Sequence, residues 1–266
     1  MVKWVSLQIH IEKDARSTLV LQGRLFMSTK RSPLTRSTYG LCGFLALLFL
    51  LVACSGGQGN SGSSSTPSAQ QLIKNAQAAI QKVTSYHFEL KAENIGTTGV
   101  LPIQSATGDI IVPDKLQANA NVLFNGTPIQ AEIIAIDKNE YINVLGSWQK
   151  TSGLLDPQAL SDPQTGVAAS LGHLQNPGTP SSSSSGGVPC WSITGQLNAS
   201  YLAGITGGGA PAGTTDTVTT CIGKSDNLPY IINVKGIAAQ GDTTQTTRTF
   251  TLSKFNEQIT ITAPIQ

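Results

Sequence analysis

The chain has 266 residues, with 17 Lys+Arg against 15 Asp+Glu and a formal charge of +2 at neutral pH. Seven of those cations precede residue 54, so from Cys54 onward 10 Lys+Arg face 13 Asp+Glu and the net charge is about −3. No Lys/Arg cluster is left to neutralise a run of phosphates, which argues against a nucleic-acid partner. The 213 residues from Cys54 onward suffice for one domain with a sizeable core.

Residues 1–26 do not resemble the start of an export signal. Met27 opens a better one, with Lys30, Arg31 and Arg36 ahead of an apolar run from Leu41 to Val52. We take Met27 as the expected start and 1–26 as an upstream over-read; the alternative is one long basic leader from Met1. The apolar run falls well short of the roughly 20 residues a membrane-spanning helix needs. It ends in Leu51-Val52-Ala53-Cys54 and gives way at once to a Gly/Ser tract, Ser55 to Ser65. Leu-x-Ala-Cys resembles the lipobox of bacterial lipoproteins. That resemblance implies that the Cys54 thiol receives a diacylglyceryl group, that 1–53 are removed, and that the new N-terminus takes a further acyl chain of the palmitate type. Two acyl chains make a stable membrane anchor where one does not. Residues 54–67 would then be a tether with a reach of about 20 Å. The expectation is an exported protein held on the outer face of the cell membrane, with one folded domain over 68–266.

Ser68 followed by Gln71 is a capping-box pattern, so a helix is expected from Ala69 to about Thr84, with Leu72, Ile73, Ala76, Ala79, Ile80 and Val83 on one face. The period then switches to two. Tyr86, Phe88, Leu90 and Ala92 alternate with His87, Glu89, Lys91 and Glu93, the pattern of a strand with one buried and one wet face. Further strands are predicted over 100–112, 116–124, 129–136 and 140–145. They are joined by turns at Gly96/Gly99, Pro113-Asp114, Asn125-Gly126 and Asp137-Lys138-Asn139. Such short connections fit an antiparallel meander and not βαβ units.

From Ser152 to Asn176 the alternation stops. Asp156-Pro157 and Asp162-Pro163 read as helix starts, and Val167, Ala168, Leu171 and Leu174 suit a short amphipathic helix. Pro177 to Gly187, with five consecutive serines, reads as a flexible surface loop. Strands resume at 188–197, 216–223, 229–239, 245–254 and 258–263, with a Gly-rich segment at 198–213 and a turn at Asp226-Asn227. Two sets of strands with helices before and between them, and many Ala, Gly and Ser on the apolar faces, point to an α+β fold: a curved antiparallel sheet wrapped over helices. A closed sandwich would ask for bulkier facing residues. Cys190 and Cys221 lie in an exported domain, where disulfides persist, and are expected to pair; the alternative is two buried free thiols. Nothing beside either has metal-ligand spacing.

Several stretches, in order, resemble the mycobacterial-type LppX/LprA/LprF/LprG lipoproteins. They are the Cys54 lipobox with its Gly/Ser tract; Trp148-Gln149-Lys150 leading to Leu155-Asp156-Pro157; Asp162-Pro163 to Gly166 with Ala168, Ala169 and Leu171; Val188-Pro189-Cys190 to Thr194-Gly195; Asp226-Asn227-Leu228-Pro229; and Phe255-Asn256-Glu257-Gln258 running to Ala263-Pro264. The likeness spans nearly all of 68–264. It implies a half-open β-barrel with helices on its concave side, similar to the LolA/LolB-type periplasmic lipoprotein carriers. It also implies an apolar cavity for lipid or glycolipid acyl chains, and carriage or loading of lipid at the cell envelope beside a transporter partner the sequence does not name. Cys221 departs from the family, standing where a large apolar residue is usual.

An acyl chain gains about 0.8 kcal/mol per methylene removed from water, so a carrier needs a large apolar void and little polar chemistry. The inward series that would line it is Phe88, Leu90, Val122, Phe124, Ile133, Ile142, Val144, Leu171, Leu174, Ile232 and Val234. The alternative is that these residues form a dry core. No catalytic residue, metal or cofactor is expected. His87 lies on a wet face and His173 flanks a helix, with no nucleophile elbow to complete a triad. Gly223-Lys224-Ser225 lacks the first Gly of a P-loop, Val218 standing in its place. Ser147-Trp148-Gln149-Lys150 with Ser225-Asp226-Asn227 imitates two penicillin-recognising motifs but lacks the third. Asp156 and Asp162 are explained as helix caps.

Overall fold

The computed structural model describes residues 66–96, 102–124, 126–152, 157–162, 166–206 and 209–265. Cys54, its flanking export segment and all but the end of the expected tether therefore lie outside the described residues, as does Asp156.

Helix α1 (Ala69–Ile80) starts where the capping pattern puts it: the Ser68 hydroxyl accepts the Gln71 amide at 3.2 Å. The reciprocal half of the box is not made. Gln71 instead donates its side-chain amide to Asn75 at 2.7 Å. The helix ends a turn before Thr84, with its Ala69, Leu72, Ile73, Ala76 and Ile80 face buried.

Strands β1 (Ser85–Glu93), β2 (Ile103–Ile111), β3 (Lys115–Phe124), β4 (Thr127–Ile136), β5 (Asn139–Val144) and β6 (Ser147–Thr151) form a continuous meander. Strands β7 (Ser181–Ser185), β8 (Val188–Asn198), β9 (Thr215–Gly223), β10 (Pro229–Lys235) and β11 (Thr247–Ser253) form a second. β1 pairs antiparallel with β11, fusing both into one eleven-stranded sheet in the order β6-β5-β4-β3-β2-β1-β11-β10-β9-β8-β7. Between the meanders lie α2 (Pro157–Ser161), α3 (Val167–Ser170) and a 3-10 turn, Leu171–His173. A second 3-10 turn (Ala199–Leu202) and α4 (Ala203–Thr206) bridge β8 and β9.

The structure corrects the sequence reading in four places. The serine run is not a loop: Ser181–Ser185 is the edge strand β7, paired residue for residue with β8 through a Gly186-Gly187 turn in which both φ angles are positive. An edge strand is held by main-chain hydrogen bonds on one side and needs no apolar side chains to be one, so periodicity had nothing to report. Residues 258–263 are not a strand. They follow Asn256, whose side chain accepts the Thr84 amide at 2.8 Å, and place Ile259 and Ile261 against Ile134, Tyr141 and Trp148 on the outer face of β4, β5 and β6. β6 is an additional strand, and β10 stops at Lys235 instead of 239. The start expected at Asp162-Pro163 lies against residues outside the described ones; the Gly166 amide donates to the Asp162 carbonyl at 2.8 Å, and α3 begins at Val167.

Candidate functional site

Register assigns every strand residue to a face. One row runs Phe88, Gly108, Ala118, Ile133, Ile142 across β1 to β5; the next runs Leu90, Ala106, Ala120, Ala131, Val144. On the other side of the seam the Leu90 row continues through Phe250, Ile232, Thr220 and Ile193. These rows make the apolar, inward face. Together with the buried face of α1 and with Leu160, Leu171, Leu174 and Leu202, they form a single hydrophobic cluster.

The structure brings ten of the eleven sequence-predicted residues into that cluster. Phe88, Val122, Ile133, Leu171, Leu174, Ile232 and Val234 are buried, while Leu90, Ile142 and Val144 are half-buried against it. The Phe124 side chain lies outside the described residues. Burial is uneven. Ile193, Leu197, Val218, Ile222 and Ile232 of the second meander are wholly inaccessible. Leu90, Ile103, Ile129, Ile142 and Val144 of the first keep part of their surface in solvent, over a floor of Ala106, Ala120 and Ala131. Small floor residues set among half-open Leu, Ile and Val leave a shallow apolar apron near the ends of β1, β3 and β5.

Gly108 belongs to the same floor. A Cβ there would stand 2.1 Å from the Gln117 carbonyl oxygen and 2.7 Å from the Ala118 Cα, so β2 and β3 approach each other too closely for any side chain. At the far end of the inward face, where α1 meets the connecting helices, the void bounded by Ile80, Val83, Tyr86, Leu160 and Ala169 is about 10 Å³, no more than one water. Tyr86, buried there, donates its hydroxyl to the Leu160 carbonyl at 3.2 Å, and burial holds its pKa above the usual phenol value.

The large hollow is an open concavity of about 1490 Å³. Its lining is mixed: Glu89, Lys91, Thr107, Asn119, Glu132 and Asn143 with neighbouring Ser, Thr, Asn and Gln alternate with Leu90, Ala106, Ala120, Ile129 and Ala131 of the apron, and Leu145 stands at its margin. Beside it, His87 Nδ1 lies 2.7 Å from Asp109 Oδ1, and His87 Nε2 lies 3.2 Å from the Thr107 hydroxyl. The order hydroxyl, imidazole, carboxylate is that of a nucleophilic triad. Yet β2 is paired on both sides, which commits its backbone amides to the ladder, and no pair of N–H groups is free to hold an oxyanion there. The three form a polar ladder across β1 and β2.

Cys190 and Cys221 form a disulfide on the outer face of β8 and β9, with Cα atoms 5.6 Å apart. They are diagonal neighbours: Cys190 sits opposite Gly223, and Cys221 opposite Ser192.

With this geometry established, the comparisons are decisive for family. The family model of LppX_LprAFG lipoproteins matches residues 68–261, almost the whole described domain. The chain belongs to the LppX_LprAFG lipoprotein family. Lipoprotein LprA of Mycobacterium tuberculosis is 25% identical over 236 residues, covering 83% of this chain and 94% of LprA. LprF of the same species is 25% identical over 150 residues, covering 52% of this chain and 56% of LprF. Among solved structures, LprF from Mycobacterium bovis superposes with a TM-score of 0.62 at 22% identity, covering 74% of this chain and 97% of that one. LppX of M. tuberculosis gives 0.54 at 20% identity, covering 73% and 97%. The large curved antiparallel sheet is thus the fold of LprF and LppX, as the family resemblance in the sequence implied.

Two features of this family member escaped the sequence reading. The first is Leu145, which follows β5 and is 96% exposed with φ 57°. Of the seven non-glycine residues at positive φ among the described ones, five are Asn or Asp, the types whose side chains tolerate that conformation. Leu145 carries no such compensation and costs roughly 1–2 kcal/mol there. The signal was legible: Leu145-Gly146 stands between two short strands where Asn-Gly is the expected pair. The second is a buried polar group at the end of the second meander. Arg248 donates to both oxygens of Asp242, at 2.5 and 2.9 Å, and Asp242 also accepts the Ala238 and Ala239 amides. Asp216 beside them is 1% exposed, with neither carboxylate oxygen in hydrogen-bond geometry. It stands on the inward face of β9 in one series with Val218 and Ile222, so the alternation itself set an ionisable residue among apolar ones, a signal the sequence reading passed over.

Proposed function

We propose that this protein is a membrane-anchored, non-catalytic envelope lipoprotein that binds the acyl chains of a lipid or glycolipid for carriage or loading. Residues 1–53 would be removed at export, and acylated Cys54 would hold the domain on the outer face of the membrane through the Gly/Ser tether. The sheet would curve as a half-open barrel with α1 and the connecting helices on its concave side. The observation that carries the reading is the contrast in burial along one inward face, which leaves Leu90, Ile103, Ile129, Ile142 and Val144 half-open over Ala106, Ala120 and Ala131. Hydrocarbon laid there would gain about 25 cal/mol for each Å² of apolar surface withdrawn from water. Family membership supports it, since the relative LprF is named as a candidate diacylated glycolipid transporter.

The test is mass spectrometry of lipids extracted from protein purified out of a lipid-rich bacterial host, repeated after delipidation and re-exposure to lipid. Stoichiometric acyl lipid in both samples is expected. An empty protein in both would end the proposal.

A second reading, an interaction lipoprotein with a packed core and no cargo, is favoured by the water-sized void between α1 and the connecting helices and by the inaccessible inward residues of β8 to β10. In that case Leu90, Ile129 and Val144 would meet a partner protein and not a lipid.

A further inference from the structure

Antiparallel pairing fixes which connections share an end of the sheet. β1, β3 and β5 run one way, and counting across the seam through β11, β10 and β9 gives β8 the same direction. The β5–β6 hairpin tip, Leu145-Gly146, and the segment after β8, which holds Tyr201, therefore lie at one end of the sheet but toward its opposite flanks. Three large hydrophobic residues among the described ones are notably exposed, and two are Leu145 at 96% and Tyr201 at 43%. Tyr201 stacks on His173 with ring centroids 3.9 Å apart, which holds its ring in place at the rim.

From this placement we propose that this end of the sheet is a bilayer-docking edge, with Leu145 entering the acyl region and Tyr201 resting at the headgroup level. Three independent facts point the same way. Leu145 adopts a backbone conformation that disfavours leucine, in a turn that Asn would fit better, and its exposed side chain contributes nothing to the packing that would offset the strain. Tyr and His are amphipathic rings of the kind that settle at a membrane–water interface. Cys54 stands fourteen residues before Ser68, and with the acyl anchor of the proposed function, on which this point rests, a tether of that length with a reach of about 20 Å keeps the domain close to the membrane surface. The domain has a net negative charge and no basic cluster, so the contact is hydrophobic, indifferent to anionic lipid and insensitive to salt. The half-open apron of Leu90, Ile129 and Val144 opens beside the same edge.

The docking edge goes beyond lipid binding, because it requires no cargo. The mature acylated protein is reconstituted into uncharged phosphatidylcholine vesicles as wild type and as Leu145→Trp, and the Trp fluorescence of the variant is read after subtracting that of Trp148 and Trp191 in the wild type. Expected are a blue shift on vesicles, quenching by lipids brominated along their acyl chains, and loss of quenching by aqueous iodide, all unchanged between low and high salt. In a second pair, Leu145→Asn lowers the bilayer-contacting fraction on the order of tenfold, the worth of one buried leucine. Its melting temperature is equal to or above the wild type's, since Asn fits the turn. A residue-145 Trp that stays open to iodide and silent to bromolipid overturns the proposal. So does a blue shift that appears in detergent without vesicles and grows with protein concentration, which would make the edge a contact between copies. Either result leaves the cargo measurement untouched.

Discussion

The two meanders treat the same inward face in opposite ways. In β7–β11 it is closed: Ile193, Leu197, Val218, Ile222 and Ile232 have no accessible surface, Leu174 lies over Gly195 so closely that a Cβ there would be 2.6 Å from the Leu174 Cγ, and a disulfide ties the outer side. In β1–β6 it is open toward one end, floored by alanines and rimmed by half-buried Leu, Ile and Val. Side-chain volume accounts for the difference. Ala106, Ala120 and Ala131 face the interior in one half where Ile193, Val218 and Ile232 face it in the other.

Matched truncations test that contrast most directly. Ile232→Ala, in the closed half, should cost about 2–5 kcal/mol, because the removed atoms leave a cavity the neighbours cannot collapse. Ile142→Ala, on β5 beside the edge strand β6, should cost well under half as much, since its surroundings are already partly solvated. Urea unfolding of both variants measures the gap, and equal costs would erase the distinction between the halves. Next in size is the disulfide. Cys190→Ala with Cys221→Ala opens a cross-link with a sequence separation of 31, worth about 3–4 kcal/mol in the chain-entropy estimate. The loss should appear in the melting temperature, while lipid uptake by the open half survives in whatever fraction stays folded. A smaller pair follows. Val122→Trp, at 1% exposure, should be overpacked by about 1–3 kcal/mol, whereas Val144→Trp should leave stability nearly unchanged and instead exclude lipid. If Val144→Trp also loses stability and keeps its lipid, the apron is core.

How much of this was legible depended on what carries each element. Alternation in Tyr86 to Glu93 and Leu116 to Phe124, and the Asn125-Gly126 turn, placed β1, β3 and the β3–β4 hairpin within a residue or so, because those strands bury one face. Ser181–Ser185 was invisible, since its order comes from β8 and not from its own side chains. Residues 258–263 alternate like a strand because Ile259 and Ile261 do bury one face, but against other side chains and without a ladder. Of the half-buried apron residues, Leu90, Ile142 and Val144 follow from period two, whereas Ile103 and Ile129 were not among the residues the alternation singled out. That the apron is open only at one end was not legible, because openness depends on which distant segments cover which row.

The smallest expected effect concerns Asp216, and it probes the closed half at its rim. The carboxyl is buried without a partner in hydrogen-bond geometry, and a Cβ on Gly236 would stand 2.1 Å from its Oδ1, so the β10 end presses directly on it. Arg248, the nearby cation, is held bidentate by Asp242. Burial raises the Asp216 pKa above its ordinary value of 3.8; the Ile237 amide and Arg248 offset part of the rise, and Asp242 adds to it. The folded state therefore binds the proton more tightly than the unfolded chain does. Stability should be complete below about pH 3.8, fall as pH rises through the folded pKa, and level off above it. Asp216→Asn removes the charge that must be buried at neutral pH while keeping the shape, so its stability should lose this slope and match or exceed the wild type at pH 7 by about 1 kcal/mol or less. Denaturant midpoints taken across that range decide it: parallel profiles for the two proteins would mean that solvent reaches Asp216 and that the closed half is not closed at its rim.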